Sequence, residues 1–188
     1  MRIIGGNIGG IRINTPKNLK LRPTTDRCKE SIFNILQNEF DFNNVEVLDL
    51  FAGTGNISYE FSSRGAKKVI SIDNNTKCIN FIKNFSQKQF LNIETIKSDA
   101  YNYLKIINLK FDIIYADPPY HFKFIKYNSL ITKIFDNKIL KNDGIIVIEH
   151  SSKNDLSTIS NFVQYRKYGD TTFSFFKNLN NWLSVFSL

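Results

Sequence analysis

Phe111-Asp112-Ile113-Ile114-Tyr115-Ala116-Asp117-Pro118-Pro119-Tyr120 is an apolar run that stops at a carboxylate, two prolines and an aromatic ring. The run reads as a buried strand, and its end as the carboxyl edge of a sheet, where open α/β sheets bind their ligands. Neither proline has an N–H, so neither extends a ladder or starts an ordinary helix interior, and the Pro118 carbonyl is left to accept from another group. A planar amine with two hydrogens suits that acceptor. Asp117 and the Pro118 carbonyl would hold an exocyclic base amine while Tyr120 stacks on the ring, as for a flipped or single-stranded nucleobase.

Upstream of this corner the chain alternates strand and helix patterns. Val45-Glu46-Val47-Leu48-Asp49-Leu50-Phe51 reads as a strand, followed by the turn Ala52-Gly53-Thr54-Gly55 and a short helix through Phe61 that Gly65 closes. Glycines let backbone approach a ligand, but as a dinucleotide fingerprint the turn is incomplete, because Ser58 stands in the place of the third glycine. A second strand, Val69 to Ile72, ends in Asp73, about 20 residues after the glycines, where an acid can accept from ribose hydroxyls or simply sit in a solvated turn. A helix over about 75–88 and a strand from Ile93 to Lys97 lead to Ser98-Asp99-Ala100. There Asp99 can accept from an adenine amine or cap the next helix.

Downstream of Tyr120 a helical stretch over about 123–137 runs through the turn Asn142-Asp143-Gly144 into the strand Ile145 to Glu149. Phe162 to Tyr168 and Thr172 to Lys177 then flank a Gly169-Asp170 turn as a hairpin. These elements specify an α/β three-layer sandwich with a mostly parallel sheet and an antiparallel C-terminal end. The glycines, the acids and the tetrad all fall at strand carboxyl ends, where one small-molecule crevice would collect them.

At 188 residues and 42% apolar content the chain has the size and composition of one main domain. Its net charge of +8 is mostly lysine scattered along helices, but four of the six arginines, Arg2, Arg12, Arg22 and Arg27, fall in the first 27 residues. Such a cluster suits phosphate contacts. Gly5-Gly6 and Gly9-Gly10 flank short apolar pieces, a small β-hairpin. Arg22-Pro23-Thr24-Thr25-Asp26 then starts a helix with a Thr or Asp cap, and arginines at that positive end point to an anion site or to a salt link with Asp26 or Glu30. Cys28 and Cys78 read as buried free thiols in a reducing, cytoplasmic compartment. Two histidines, His121 and His150, make no metal site, and no run approaches a membrane span.

The chain resembles the Rossmann-like methyltransferases that use S-adenosylmethionine, in which a Gly-rich turn, a ribose acid and an amine-binding tetrad occur in this order. More specifically, Arg2 to Gly6, Arg22 to Leu36, Asp49 to Gly55, Ser63-Arg64-Gly65-Ala66, Asp117 to Tyr120, Ile148-Glu149-His150 and Tyr165 to Thr171 resemble the RsmD family of bacterial 16S ribosomal RNA guanine-N2 methyltransferases. The resemblance spans about residues 1–177. It implies methyl transfer from S-adenosylmethionine to a guanine N2 amine of 16S rRNA, in an assembled or assembling small subunit, with Asp117, Pro118, Pro119 and Tyr120 at the reacting amine. Asp49, Phe51, Gly53, Gly55, Asp73, Asp99 and Ala100 would hold the cofactor, and Arg2, Arg12, Arg22 and Arg27 the RNA. Residues 1–24 would be an RNA-contacting extension and residues 25–188 the methyltransferase domain.

Three rivals stand beside this reading. A nicotinamide-dependent oxidoreductase would use the glycine turn but leaves the tetrad unexplained, and the missing third glycine fits a cofactor without a pyrophosphate. A methyltransferase of adenine N6 in DNA or RNA would use the same tetrad, and a non-catalytic RNA-binding assembly factor would keep the fold alone. The apolar tail beyond Asn178, with Trp182, Leu183, Val185 and Phe186, carries no assigned role.

Overall fold

The computed structural model describes residues 1–16, 19 and 24–178. Arg22 and the tail from 179 to 188 lie outside the described residues. The described residues form seven strands and five α-helices, so the expected α/β class is present. The chain divides into two compact units, Met1–Ala100 and Tyr101 onward.

In the first unit, α1 (Asp26–Glu39) begins at Thr25, whose hydroxyl accepts from the Cys28 N–H at 3.3 Å, with Asp26 placed favourably in the first turn. Strands β1 (Glu46–Leu50), β2 (Lys68–Asp73) and β3 (Ile93–Lys97) pair in parallel in the order β3-β2-β1. Between them run α2 (Asn56–Ser63) and α3 (Thr76–Lys88), the latter capped by the Asn75 side chain. Phe33, Phe42 and Phe61 pack ring to ring with centroids 4.6–6.0 Å apart, an aromatic core joining α1 to α2.

The N-terminal hairpin is present but meets in a single β-bridge, Arg2 opposite Arg12. The reason is competition for its amides. The Ile4 and Gly5 N–H groups donate to the Glu60 carboxylate at 2.8 and 2.9 Å, Asn7 donates to the Ser63 carbonyl at 2.6 Å, and Ile8 donates to the Ser63 hydroxyl at 3.1 Å. A longer ladder would have needed the same donors. The close approach also requires Gly6: at φ +78° a Cβ would lie 1.9 Å from the Ser63 carbonyl oxygen.

In the second unit, α4 (Ala100–Ile106) leads from the boundary into β4 (Phe111–Ala116), and α5 (Phe124–Asp136) connects to β5 (Leu140–Ser151). β4 and β5 are parallel, whereas β7 (Thr171–Lys177) pairs antiparallel with both β5 and β6 (Phe162–Tyr168). β5 corrects one expectation. Asn142-Asp143-Gly144, read as a turn before the strand, lie inside it: Phe111 pairs with Leu140 and Ile113 with Ile145, so residues 141–144 bulge opposite Asp112. Lys141 fixes the bulge by an ion pair to Asp112 at 2.8 Å.

Candidate functional site

The turn after β1 has three residues at positive φ, Phe51 at 62°, Gly53 at 54° and Gly55 at 83°. For a bulky Phe the left-handed region is strained, and such strain persists where surrounding bonds enforce it. Those bonds are present. The Ala52 N–H donates to the Ile72 carbonyl at 2.9 Å, and the Gly53 N–H donates to one oxygen of Asp73 at 2.8 Å while the Asn75 N–H takes the other at 2.8 Å. Each Asp73 oxygen keeps a second lone pair, enough for a pair of ribose hydroxyls. Gly55 is also fixed by packing, because a Cβ there would come within 2.8 Å of the Tyr59 ring and 2.9 Å of Ile82.

Asp49 is buried at the end of β1 and accepts from the Ser58 hydroxyl. Ser58 spends its only proton on Asp49, so the 2.7 Å contact between Ser58 and Ser71 has Ser71 donating. The residue replacing the third glycine thus holds a buried carboxylate. Asp99 is exposed next to buried Ala100, and the adjoining Ser98 N–H bonds the Asp73 carbonyl at 3.1 Å, which sets the β2 and β3 ends side by side. In the first unit the structure therefore brings the glycine turn, Asp73 and the start of α4 to neighbouring strand ends, with Asp49 beneath α2.

In the second unit Asp117 is half-buried at the end of β4, Pro118 is buried, and Pro119 and Tyr120 are exposed. The Pro119 carbonyl accepts from the Phe122 N–H at 2.9 Å, and the Tyr120 hydroxyl lies 3.4 Å from Thr171 Oγ1 on β7. No hydrogen bond among the described residues uses the Pro118 carbonyl. Behind the tetrad are groups to which sequence reasoning gave no role. Burial, and next the charge of Asp117, push the Tyr127 hydroxyl up to about 12, so it is a neutral donor. His150, edge-on to Tyr127, is held neutral by burial. Its Nδ1 lies 3.0 Å from the Ser151 carbonyl, which can only accept, so Nδ1 carries the proton and Nε2 accepts from Ser174 at 2.8 Å. Tyr115 donates to the buried Glu149 carboxylate.

At the N-terminal arm, the exposed Arg2 and Arg12 face each other across their bridge and line a cavity of about 450 Å³ with Met1, Ile13, Asn14 and Asp26. Like charges directly opposite repel, and an anion between them relieves this. Arg2 also pairs with Asp26 at 3.1 Å, and Arg27 is exposed in the first turn of α1.

Beneath this surface lies a buried charge network. Lys29 Nζ donates to the Arg2 carbonyl and, at 3.0 Å, to Asn56 Oδ1, with Glu60 at 3.8 Å and Asp26 at 3.9 Å. Burial draws its ammonium down, opposed by the Glu60 and Asp26 charges. Arg64 completes the pairing of Glu60 at 2.8 Å. The signal available in sequence was a lone charge on an otherwise apolar helix face, Lys29 beside Cys28 and Ile32, and Glu60 beside Ile57 and Phe61.

Cys28 and Cys78 are buried free thiols, Cys78 pushed up to about 11 by burial and then by the charge of Asp73. Among the described residues no cluster of His, Cys, Asp or Glu is able to hold a metal, and no helix is long and apolar enough to cross a membrane.

Residues 1–177 match the family described as conserved hypothetical protein 95, which is the RsmD family. The chain belongs to it. Among RsmD relatives, YlbH of Bacillus subtilis is 35% identical over 94% of this chain and 98% of its own length. Ribosomal RNA small subunit methyltransferase D of Escherichia coli is 31% identical over 85% of this chain and 79% of its own. The solved structure of Escherichia coli YhhF superposes with a TM-score of 0.79 at 26% identity, over 95% of this chain and 97% of that one. A methyltransferase structure containing S-adenosylhomocysteine shares the fold alone, with a TM-score of 0.65 at 19% identity over 79% of this chain and 49% of that one. Family and fold together make this chain a methyltransferase.

Proposed function

We propose that this RsmD-family member transfers a methyl group from S-adenosylmethionine to the exocyclic N2 amine of a guanine in 16S ribosomal RNA, within an assembling or assembled small subunit in the cytoplasm. One observation carries the reading: the β4 end offers a half-buried Asp117, an uncommitted Pro118 carbonyl and an exposed Tyr120 ring together. These are two acceptors and a stacking face for one planar amine.

The donor supplies an electrophilic methyl group on a sulfonium. The residues of this chain supply orientation. Asp73 would accept from the ribose hydroxyls with the lone pairs left by Gly53 and Asn75, Asp99 and Ala100 would hold the adenine end, and Phe51, Gly53, Gly55 and Asp49 would hold the methionine end. Asp117 and the Pro118 carbonyl pin the two amine hydrogens, which favours pyramidalisation and exposes the nitrogen lone pair. Bound there, S-adenosylmethionine would supply the methyl carbon to the amine nitrogen, with the C–S electron pair left on sulfur. The methylated amine then loses a proton to water. Pro119 stiffens the corner and Tyr120 fixes the base plane.

RNA contact is assigned to residues 1–24 through Arg2, Arg12 and Arg22, together with Arg27, and catalysis to residues 25–188. The resemblance to the RsmD family, which implies guanine, is what favours this reading over an adenine N6 methyltransferase.

Purified protein incubated with S-adenosylmethionine and small subunits from cells lacking the enzyme should produce N2-methylguanosine, read by mass spectrometry of RNA nucleosides. N6-methyladenosine instead would move the substrate to adenine. No methylation of subunits or naked 16S RNA would leave an RNA-binding assembly factor.

A further inference from the structure

Three bonds join the arginine-bearing arm and the start of α1 to the glycine turn of the first unit, and a fourth joins α1 to the arm. The Thr54 hydroxyl donates to Met1 Sδ at 3.5 Å. Asn56, the first residue of α2 and the neighbour of Gly55, donates from Nδ2 to the Thr24 carbonyl at 3.2 Å and accepts at Oδ1 from Lys29 Nζ at 3.0 Å. Lys29 in turn donates to the main-chain carbonyl of Arg2. One buried ammonium therefore touches the backbone of an arginine assigned to RNA and the residue that closes the cofactor turn.

The charges around this bridge are shared rather than matched one to one. Asp26 lies 3.1 Å from Arg2 Nε and 3.9 Å from Lys29 Nζ, so it serves both cations. Arg2 and Asp26 are about half-exposed, at 49% and 45%, whereas Lys29 is 1% exposed. An arriving phosphate competes with Asp26 for the accessible Arg2 and leaves the Asp26 charge to Lys29. The displacement reaches a buried group whose other partners are Arg2, Asn56 and the buried Glu60, and a buried bridge of this kind cannot dissipate it into solvent.

We infer that Lys29 and Asn56 are positioning residues that couple RNA contact at Arg2 to the shape of the cofactor turn. The inference rests on the proposed function, because it takes RNA phosphate and S-adenosylmethionine as the two ligands. RNA fixes the Arg2 end of the bridge and the cofactor fixes the Gly53–Asn56 end, so the ligand that binds first settles bonds that the second also requires. The coupling is therefore positive, and by linkage each ligand tightens the other by the same factor. In cells this would favour cofactor loading on the enzyme already seated on its RNA.

Calorimetry on the full chain tests this with S-adenosylhomocysteine, the unreactive product, titrated with and without a 16S RNA transcript. The wild type should bind the product about 5-fold to 10-fold more tightly with RNA present, a factor typical of coupled sites. Asn56→Ala removes both Asn56 bonds and should bring that ratio within about 2-fold of unity while keeping each separate affinity. Asn56→Asp keeps an acceptor for Lys29, loses the donor to Thr24, and should retain the coupling. A purely structural role moves the melting temperature and leaves the ratio alone. Independent binding in the wild type, full coupling in Asn56→Ala, or lost coupling in Asn56→Asp each overturns the inference while leaving the methyltransferase reading intact. Binding of neither ligand removes that reading and this inference with it.

Discussion

The glycine turn after β1 and the proline tetrad after β4 are both corners at strand ends, but they are made rigid in different ways. The glycine turn is flexible by composition and is held by other parts of the first unit: Asp73 on Gly53, Ile72 on Ala52, Lys29 and Thr24 on Asn56. The tetrad is stiff by composition, with two fixed φ angles in four residues. Two of its supports from other residues are slight: the Phe122 N–H donates to Pro119 three residues back, and Thr171 Oγ1 on β7 lies 3.4 Å from the Tyr120 hydroxyl. Rigidity written into the chain makes a corner readable from one short motif. Rigidity borrowed from elsewhere makes it depend on residues far away in sequence.

The largest expected effect cuts the tetrad where its stiffness does not help. Asp117→Ala removes an acceptor that no proline replaces and should abolish nearly all single-turnover methyl transfer, with S-adenosylhomocysteine binding unchanged. Asp117→Asn keeps one side-chain oxygen and should retain a measurable fraction. Equal loss in both variants, with both ligands still bound, would mean that Asp117 needs its charge and acts as a general base, a role costing about 10²–10⁴-fold.

Next comes the borrowed support. Glu60→Ala strips the acceptor from the Ile4 and Gly5 amides and unpairs the buried Lys29 and Arg64, and should cost about 3–5 kcal/mol in denaturant unfolding. Thr171→Val, which removes only the 3.4 Å contact to Tyr120, should stay within about 0.5 kcal/mol. Similar costs for the two would erase the contrast between the corners.

Asp73→Ala probes both functions of one carboxylate. It should weaken cofactor binding by about 1–3 kcal/mol by calorimetry, since ribose hydroxyls lose a charged acceptor and Gly53 loses its anchor. An unchanged affinity would leave Asp73 as a turn residue only.

The smallest effect concerns pH. His150 is held below its ordinary value by burial, so the unfolded chain takes up a proton near 6.5 that the folded protein refuses. Stability from this group is complete above about pH 6.5 and falls as pH drops from there toward the folded value. Thermal melts between pH 7.5 and 5 should show this slope in the wild type and not in His150→Gln, which has no titrating ring. Asp155, itself held low by hydrogen bonds from Ser157, titrates below that window.

Local pattern decided much of this protein. The strand runs, the cap at Thr25, the left-handed glycines and the stop at Asp117-Pro118-Pro119 follow from side-chain periodicity, ring constraint and missing Cβ atoms, all properties of a few adjacent residues. They were enough for the α/β class and for a stiff, acceptor-bearing corner at a strand end. Tertiary structure decided what local pattern is blind to. Whether Arg2 and Arg12 lie side by side, whether the N-terminal amides feed a ladder or Glu60, and whether Asn142-Asp143-Gly144 turn or bulge are all settled by partners 10 to 58 residues away. A backbone N–H or a buried charge takes the best acceptor the fold brings near it, and that competition has no signature in a short window of sequence.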